Sequence, residues 1–208
     1  MDRLSSDTAV TIVAMKNHAV KKSLLKMVEE DKTLRQQLLE TGELSDGYNS
    51  DMEQVHLKNA RKLQQIVDEQ GFPKVEQVGK EGVEAAWLII QHAISWPQFM
   101  RAMLPLVQES VAAGELPKQD LACLIDRIRF YEGKPQMYGT NSDWNAEGKL
   151  VITPVADEAN LNQRRKEMGL SPLNDLESAQ LDIAMPPQDF KQRQRDFVAW
   201  AKKVGWRD

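Results

Sequence analysis

The sequence predicts a mainly α-helical, multi-helix globular domain with one small antiparallel β-hairpin at about 136–155. Three observations predict it. Apolar residues recur at helical spacing through most of the first 131 positions, cap and stop signals cut that pattern into segments, and the period then shifts from 3.6 to 2.

Residues 5–41 read as helix, with Ser5 or Ser6 as the cap and a stripe of Val10, Val13, Ala14, Ala19, Leu24, Leu25, Val28, Leu34 and Leu38. Asp31 marks a point where a second, shorter helix can restart. Gly42 to Asn49 is rich in turn formers. Ser50-Asp51-Met52-Glu53 has the form of a capping box, and the helix it opens carries Met52, Val55, Asn59, Leu63, Ile66 and Val67 before Gly71 stops it. Val83 to Ile94 is apolar nearly all round and belongs at the centre of the fold. Pro97 suits a first helical turn, with a kink expected at Pro105 and an end at Gly114. Pro117 opens a further helix through Tyr131.

Gln136 to Ser142 and Lys149 to Val155 then alternate as strands joined across Asn145-Ala146-Glu147-Gly148. Asp157 is placed to cap a helix to Met168, and a short helix is expected over roughly 175–183. Pro186-Pro187 makes a linker into an amphipathic helix with Phe190, Phe197, Trp200 and Val204 on its apolar face. That tail carries Lys191, Arg193, Arg195, Lys202, Lys203 and Arg207, expected to form a solvated basic face while the helix packs on the body. The chain thus divides into an N-terminal helical segment (1–49) packed on the core, a core domain (50–185) and the C-terminal helix (186–208).

Composition narrows the function classes. The chain has 208 residues, 41% hydrophobic and 28% charged, with 27 basic against 31 acidic residues and a net charge of −4. An acidic balance argues against a dedicated nucleic-acid binder. No apolar run is long enough to span a bilayer, and no signal-peptide pattern opens the chain, so a cytoplasmic protein is expected. One cysteine, Cys123, permits no internal disulfide, and its apolar neighbours mark an inert core thiol. There is no phosphate loop, no dinucleotide fingerprint and no Gly-x-Ser-x-Gly. Three histidines and one cysteine make no zinc spacing, so the sequence calls for no cofactor and no metal.

Polar residues that interrupt apolar patterns are the candidates for function. Gln91-His92 sits in the most apolar helix, where each side chain needs a partner. A satisfied core histidine is the plain structural reading. The functional one is an imidazole at a pocket wall, exchanging protons as a catalytic acid or base. His56 and Asn59 share one face of the preceding helix, as a helix–helix hydrogen bond or as part of a site. Asp126 and Arg129 are spaced for a surface ion pair, while Arg127 turns inward to meet an acceptor, a fork suited to carboxylate or phosphate. On the first strand, alternation puts Gln136, Tyr138 and Thr140 on one face, polar enough to meet a ligand or one another. Gly139 within that strand signals a bulge or a close backbone approach.

These residues carry a resemblance. Asn59, Gly71-Phe72-Pro73, Val78-Gly79, Ala86-Trp87, Gln91-His92-Ala93, Asp126-Arg127, Gly133-Lys134-Pro135-Gln136, Tyr138-Gly139-Thr140, Arg164-Arg165, Gly169-Leu170 and Pro172-Leu173 together resemble a bacterial domain family of unknown function. The family pattern reads Gly-Trp-Pro, Gln-His-Ala-Asp and Tyr-Gly-Thr-Gln; here Phe72, Ile94 and Asn141 stand at the variant positions, and His56 stands where relatives often carry Asp. The resemblance implies a shared fold and a shared polar site, with no activity to carry over.

Three function classes remain open. The first is binding of a small molecule or peptide tail, in a polar pocket lined by helix 83–94 and strand 136–142 and including Gln91, Arg127, Gln136, Tyr138, Thr140, His56 and Asn59. The second is a cofactor-independent hydrolase or group-transfer enzyme using His92. The third is a helical interaction module, in which the long first helix and the last helix meet a partner or a second copy as a homo-oligomer.

Overall fold

The computed structural model describes residues 3–43, 48–173 and 189–208, with side chains described from residue 11 onward. Among these residues the chain forms seven α-helices and one two-stranded antiparallel hairpin. The mainly helical fold with a single small hairpin is therefore the observed one.

Helix α1 (Arg3–Thr41) is continuous, and Asp31 does not restart it. Leu24, Met27, Val28, Asp31 and Leu38 make its buried stripe, at close to seven residues per two turns, so Asp31 occupies a position the core would normally fill with an apolar side chain. Val13 and Leu25, expected on that stripe, are exposed. Helix α2 (Ser50–Gln70) is capped by Asn49 rather than Ser50. The Asn49 Oδ1 accepts from the amides of Asp51 and Met52 at 2.8 and 3.3 Å, which places Ser50 one position inside the helix. Glu53, freed from a capping role, accepts a hydrogen bond from the Ser95 hydroxyl.

Helix α3 (Val75–His92) begins eight residues earlier than the apolar run suggests, because it crosses a break at Gly79. There φ is 72°, a conformation glycine adopts without steric cost. Helix α4 (Pro97–Ala112) starts on Pro97 as expected and runs on through Pro105. Helix α5 is Lys118–Tyr131. Helix α3 is central: α1, α2, α4 and α5 all pack against it, and Val83, Ala86, Ile89 and Ile90 are buried among them. Trp87 Nε1 donates to the Asp120 carbonyl at 3.0 Å and pins α3 to the start of α5.

The hairpin pairs β1 (Ser142–Trp144) with β2 (Leu150–Ile152) around the expected Asn145–Gly148 turn. Both strands are shorter than their alternation implied. Residues 137–141 are loop, because the amides of Met137, Tyr138 and Thr140 donate to the Asp126 carboxylate and so cannot join a ladder. Gln136 makes only an isolated bridge to Val155. A 3₁₀ turn (Glu158–Asn160) precedes α6 (Leu161–Glu167), and Asp157 enters it in a left-handed conformation with no capping bond of its own.

The expected helix at 175–183 and the Pro186-Pro187 linker lie outside the described residues. Helix α7 (Phe190–Val204) is capped by Asp189. Its apolar face and the residues after it close one side of the core. Ala201 and Trp206 are buried, Trp206 Nε1 donates to the Ile94 carbonyl at 2.6 Å, and Arg207 donates to the carbonyls of Phe130 and Tyr131.

Candidate functional site

Three helices meet at Asp31, His56 and His92. Each side chain comes from the inward face of its helix, and the chemistry begins with Asp31, a carboxylate only 3% exposed on a stripe of leucine, methionine and valine. A buried carboxylate needs polar neighbours, and two imidazoles face it. Asp31 Oδ2 lies 2.5 Å from His92 Nδ1 and 3.4 Å from His56 Nε2. The two rings are 5.0 Å apart between centroids and inclined at 46°. Burial pushes the Asp31 carboxyl up, but the close polar contacts with the two imidazoles, the shorter of them the His92 hydrogen bond, outweigh it and hold the group well below the usual carboxylate range.

The cluster extends outward through His56. Its Nδ1 lies 2.6 Å from the Tyr48 hydroxyl, and the Tyr48 ring stacks on the imidazole at 5.8 Å. Burial, with the nearby Glu53 carboxylate, pushes the Tyr48 phenol up, so it stays protonated. Trp200 of α7 meets Tyr48 edge-on at 5.7 Å. The His92 side chain, 25% exposed, is the most open of the three. Some polar capacity here is unspent. Asp31 Oδ1, His56 Nε2 and Trp200 Nε1 are buried and have no hydrogen-bond partner among the described residues; His56 Nε2 faces Asp31 at a separation too long for a well-formed bond.

Asn59, one turn beyond His56, donates from Nδ2 to the Met27 carbonyl at 3.0 Å and ties α2 to α1. Gln91 is buried, and neither side-chain amide atom has a partner among the described residues, while its backbone carbonyl accepts from Arg127 at 3.1 Å. The inward turn of Arg127 thus has its acceptor, on the backbone. Asp126 makes no ion pair with Arg129, which donates instead to the Pro135 carbonyl.

A second polar cluster centres on Asp126, which is fully buried. Its carboxylate accepts from the amides of Met137, Tyr138 and Thr140 and from the Thr140 hydroxyl. Gln136, also fully buried, donates to the Asn141 and Thr153 carbonyls and accepts from the Asn141 amide at 2.7 Å. Arg165 and Arg164 hold the carbonyls of the same loop: Arg165 bonds those of Tyr138 and Gly139, and Arg164 that of Met137. Gly139 has φ 64°, and a Cβ there would meet the side chains of Val155, Ile152 and Leu173. Gln136 and Thr140 therefore spend their polar atoms on the loop itself. The Tyr138 amide and carbonyl do the same, and no hydrogen bond to its hydroxyl is found among the described residues.

The sequence-derived site residues thus fall into two groups. His92 and His56 converge on Asp31, with Asn59 and Gln91 on the same helices. Gln136, Tyr138 and Thr140 gather round Asp126. The link between the groups runs through Arg127, adjacent to Asp126 in the chain and bonded to the backbone of Gln91. Sequence reasoning passed over Asp31 and Tyr48. The available signal for Asp31 was an acid in register with Leu24, Val28 and Leu38; Tyr48 sits in a turn-rich stretch that carried none.

A model of a family of unknown function (DUF6624) matches residues 18–183, most of the chain, and the protein belongs to that family. No curated protein and no solved structure matches it. The matched span includes Asp31, His56, His92 and the whole Asp126 loop, and stops short of α7.

Proposed function

We propose that this member of the family is a hydrolase or group-transfer enzyme of the bacterial cytoplasm, acting on a small polar molecule or a peptide, with His92 as its general acid and base. The observation that carries this reading is the 2.5 Å contact between His92 Nδ1 and the buried Asp31 carboxylate. A carboxylate that accepts from Nδ1–H fixes the ring's orientation and tautomer, leaving Nε2 as the nitrogen that takes up and returns a proton. Asp31 stays ionised because both imidazoles favour its charge, so it stabilises the imidazolium that forms during turnover. His92 is the member of the cluster with exposed surface, as a group that must reach substrate requires.

A pocket lined by Gln136 and Thr140 is the weaker form of the reading, since those side chains already bond within their own loop. The unspent amide of Gln91 favours a binding role for that residue beside His92.

The test is a screen of the purified protein against model carboxylic esters, phosphate esters and short peptides, repeated with His92→Ala and Asp31→Asn. Loss of a positioned acid or base lowers turnover by roughly 10²–10⁴-fold. An activity that His92→Ala leaves unchanged, in a variant with wild-type circular dichroism, refutes the assignment.

A further inference from the structure

Asp31, His56 and His92 each offer one ligand atom, and these atoms all lie within 4.8 Å of one another. Two imidazole nitrogens and one carboxylate oxygen are a donor set that suits a divalent transition ion, and three protein ligands leave coordination positions for water or substrate. Ligand bonds of about 2.0–2.2 Å place neighbouring donors roughly 3–3.5 Å apart round one ion. The His56 Nε2 to Asp31 Oδ2 separation of 3.4 Å already has that size, and the 2.5 Å His92 contact is what a bridging proton gives in place of an ion.

A second observation points the same way. His56 Nε2 and Asp31 Oδ1 are without hydrogen-bond partners among the described residues, on side chains only 7% and 3% exposed. Buried polar atoms are rarely left so, and here they belong to two of the three residues that face each other. The outer contacts fit as well. A metal-bound imidazole donates its other N–H to a neighbouring oxygen, and the Tyr48 hydroxyl stands 2.6 Å from His56 Nδ1 to accept it.

We propose that Asp31, His56 and His92 form a binding site for a single divalent transition-metal ion of the zinc class. The proposal rests on the same cluster as the functional reading above but not on its chemistry. An ion held there supplies Lewis acidity next to the exposed edge of the site, and in the metal-bound form that acidity replaces proton transfer by His92, because an imidazole that ligates through Nδ1 does not become an imidazolium.

The experiment takes the full chain, stripped with chelator, and measures uptake of Zn²⁺, and separately of Co²⁺, by titration calorimetry and by metal analysis after dialysis. One ion per chain is expected, with affinity lowered at least tenfold in His56→Gln, His92→Gln and Asp31→Asn and unchanged in His18→Gln, the remaining histidine, which is exposed on α1. If the site variants fail to fold, nitrogen NMR of the wild-type histidines decides: Zn²⁺ should move the ring signals of His56 and His92 and leave those of His18 in place. Absence of saturable Zn²⁺ and Co²⁺ uptake overturns the proposal, as does uptake that moves only His18. Uptake without any hydrolytic or transfer activity leaves the site standing and removes the enzymatic reading. Activity in chelator-treated protein that takes up no ion does the reverse.

Discussion

Replacing Asp126 with alanine should destabilise the protein by about 3–5 kcal/mol, the lower bound being three part-buried amides left unpaired at roughly 1 kcal/mol each. The four donors on the carboxylate are the amides of Met137, Tyr138 and Thr140, at 2.6, 3.1 and 3.1 Å, and the Thr140 hydroxyl at 3.1 Å. Hydrogen bonds to a charged acceptor are each worth about 1.5–3 kcal/mol, so the upper figure allows the loop to recover part of the loss from water. The hydroxyl can rotate away and adds little. Domains of this size hold only about 5–15 kcal/mol in total, so the effect is large. Urea unfolding followed by circular dichroism measures it, and amide hydrogen exchange locates it. The amides of Met137, Tyr138 and Thr140 should lose protection in Asp126→Ala, while those of α3 keep theirs relative to global stability. Asp126→Asn retains one acceptor oxygen but turns an NH₂ toward the amides, and should cost at least about 2 kcal/mol. A loss below about 1 kcal/mol in Asp126→Ala, with the three amides exchanging as in wild type, would refute the clamp.

Asp31 has a depressed carboxyl pKa in the folded state, so its contribution to stability is present above the unfolded value of about 3.9 and is lost as pH falls toward the folded one. The melting temperature of wild type should therefore fall more steeply below about pH 4 than that of Asp31→Asn; parallel acid limbs would contradict this. Trp206→Ala removes a 4%-exposed indole and its 2.6 Å bond to the Ile94 carbonyl, at an expected cost of about 3–5 kcal/mol by urea unfolding. Removal of residues 189–208 should lower the melting temperature for the same reason, and an unchanged value would show that α7 is not docked. Gly82→Ala sets a new Cβ 2.6 Å from that of Val78 and should destabilise by about 1–3 kcal/mol by urea unfolding, since the two atoms separate only if the backbone shifts.

The helices were legible because each one buries a stripe, and a stripe is a local property of sequence. Their ends were less so where a cap was chosen by geometry. Asn49 and Ser50 are both good cap residues, and the chain's entry angle decides between them. The loop at 137–141 alternates like a strand, but its amides answer to Asp126, eleven or more residues away, and no period reports that. Asp126 and Arg129 looked like a surface pair because charges three apart on a helix usually are; the Asp126 carboxylate is buried because it has four donors to receive. The histidines stood out one at a time, as polar interruptions of apolar helices. What joins them is an acid 61 positions from His92, and an Asp in a long helix reads locally as a boundary rather than as a partner.

The arrangement of the cluster along the chain has a consequence for how the protein is made. Asp31, His56 and His92 are all synthesised by residue 92 of this sequence, whereas Trp200, which stands against Tyr48 at the edge of the same cluster, follows more than a hundred residues later. Chains fold as they leave the ribosome at roughly 5–20 residues per second, so α1, α2 and α3 have several seconds together before α7 exists. During that interval the two imidazoles and their carboxylate lack the indole that will stand beside Tyr48. Completion of α7 therefore supplies the last aromatic contact of Tyr48, the residue that bonds His56 at the outer edge of the cluster.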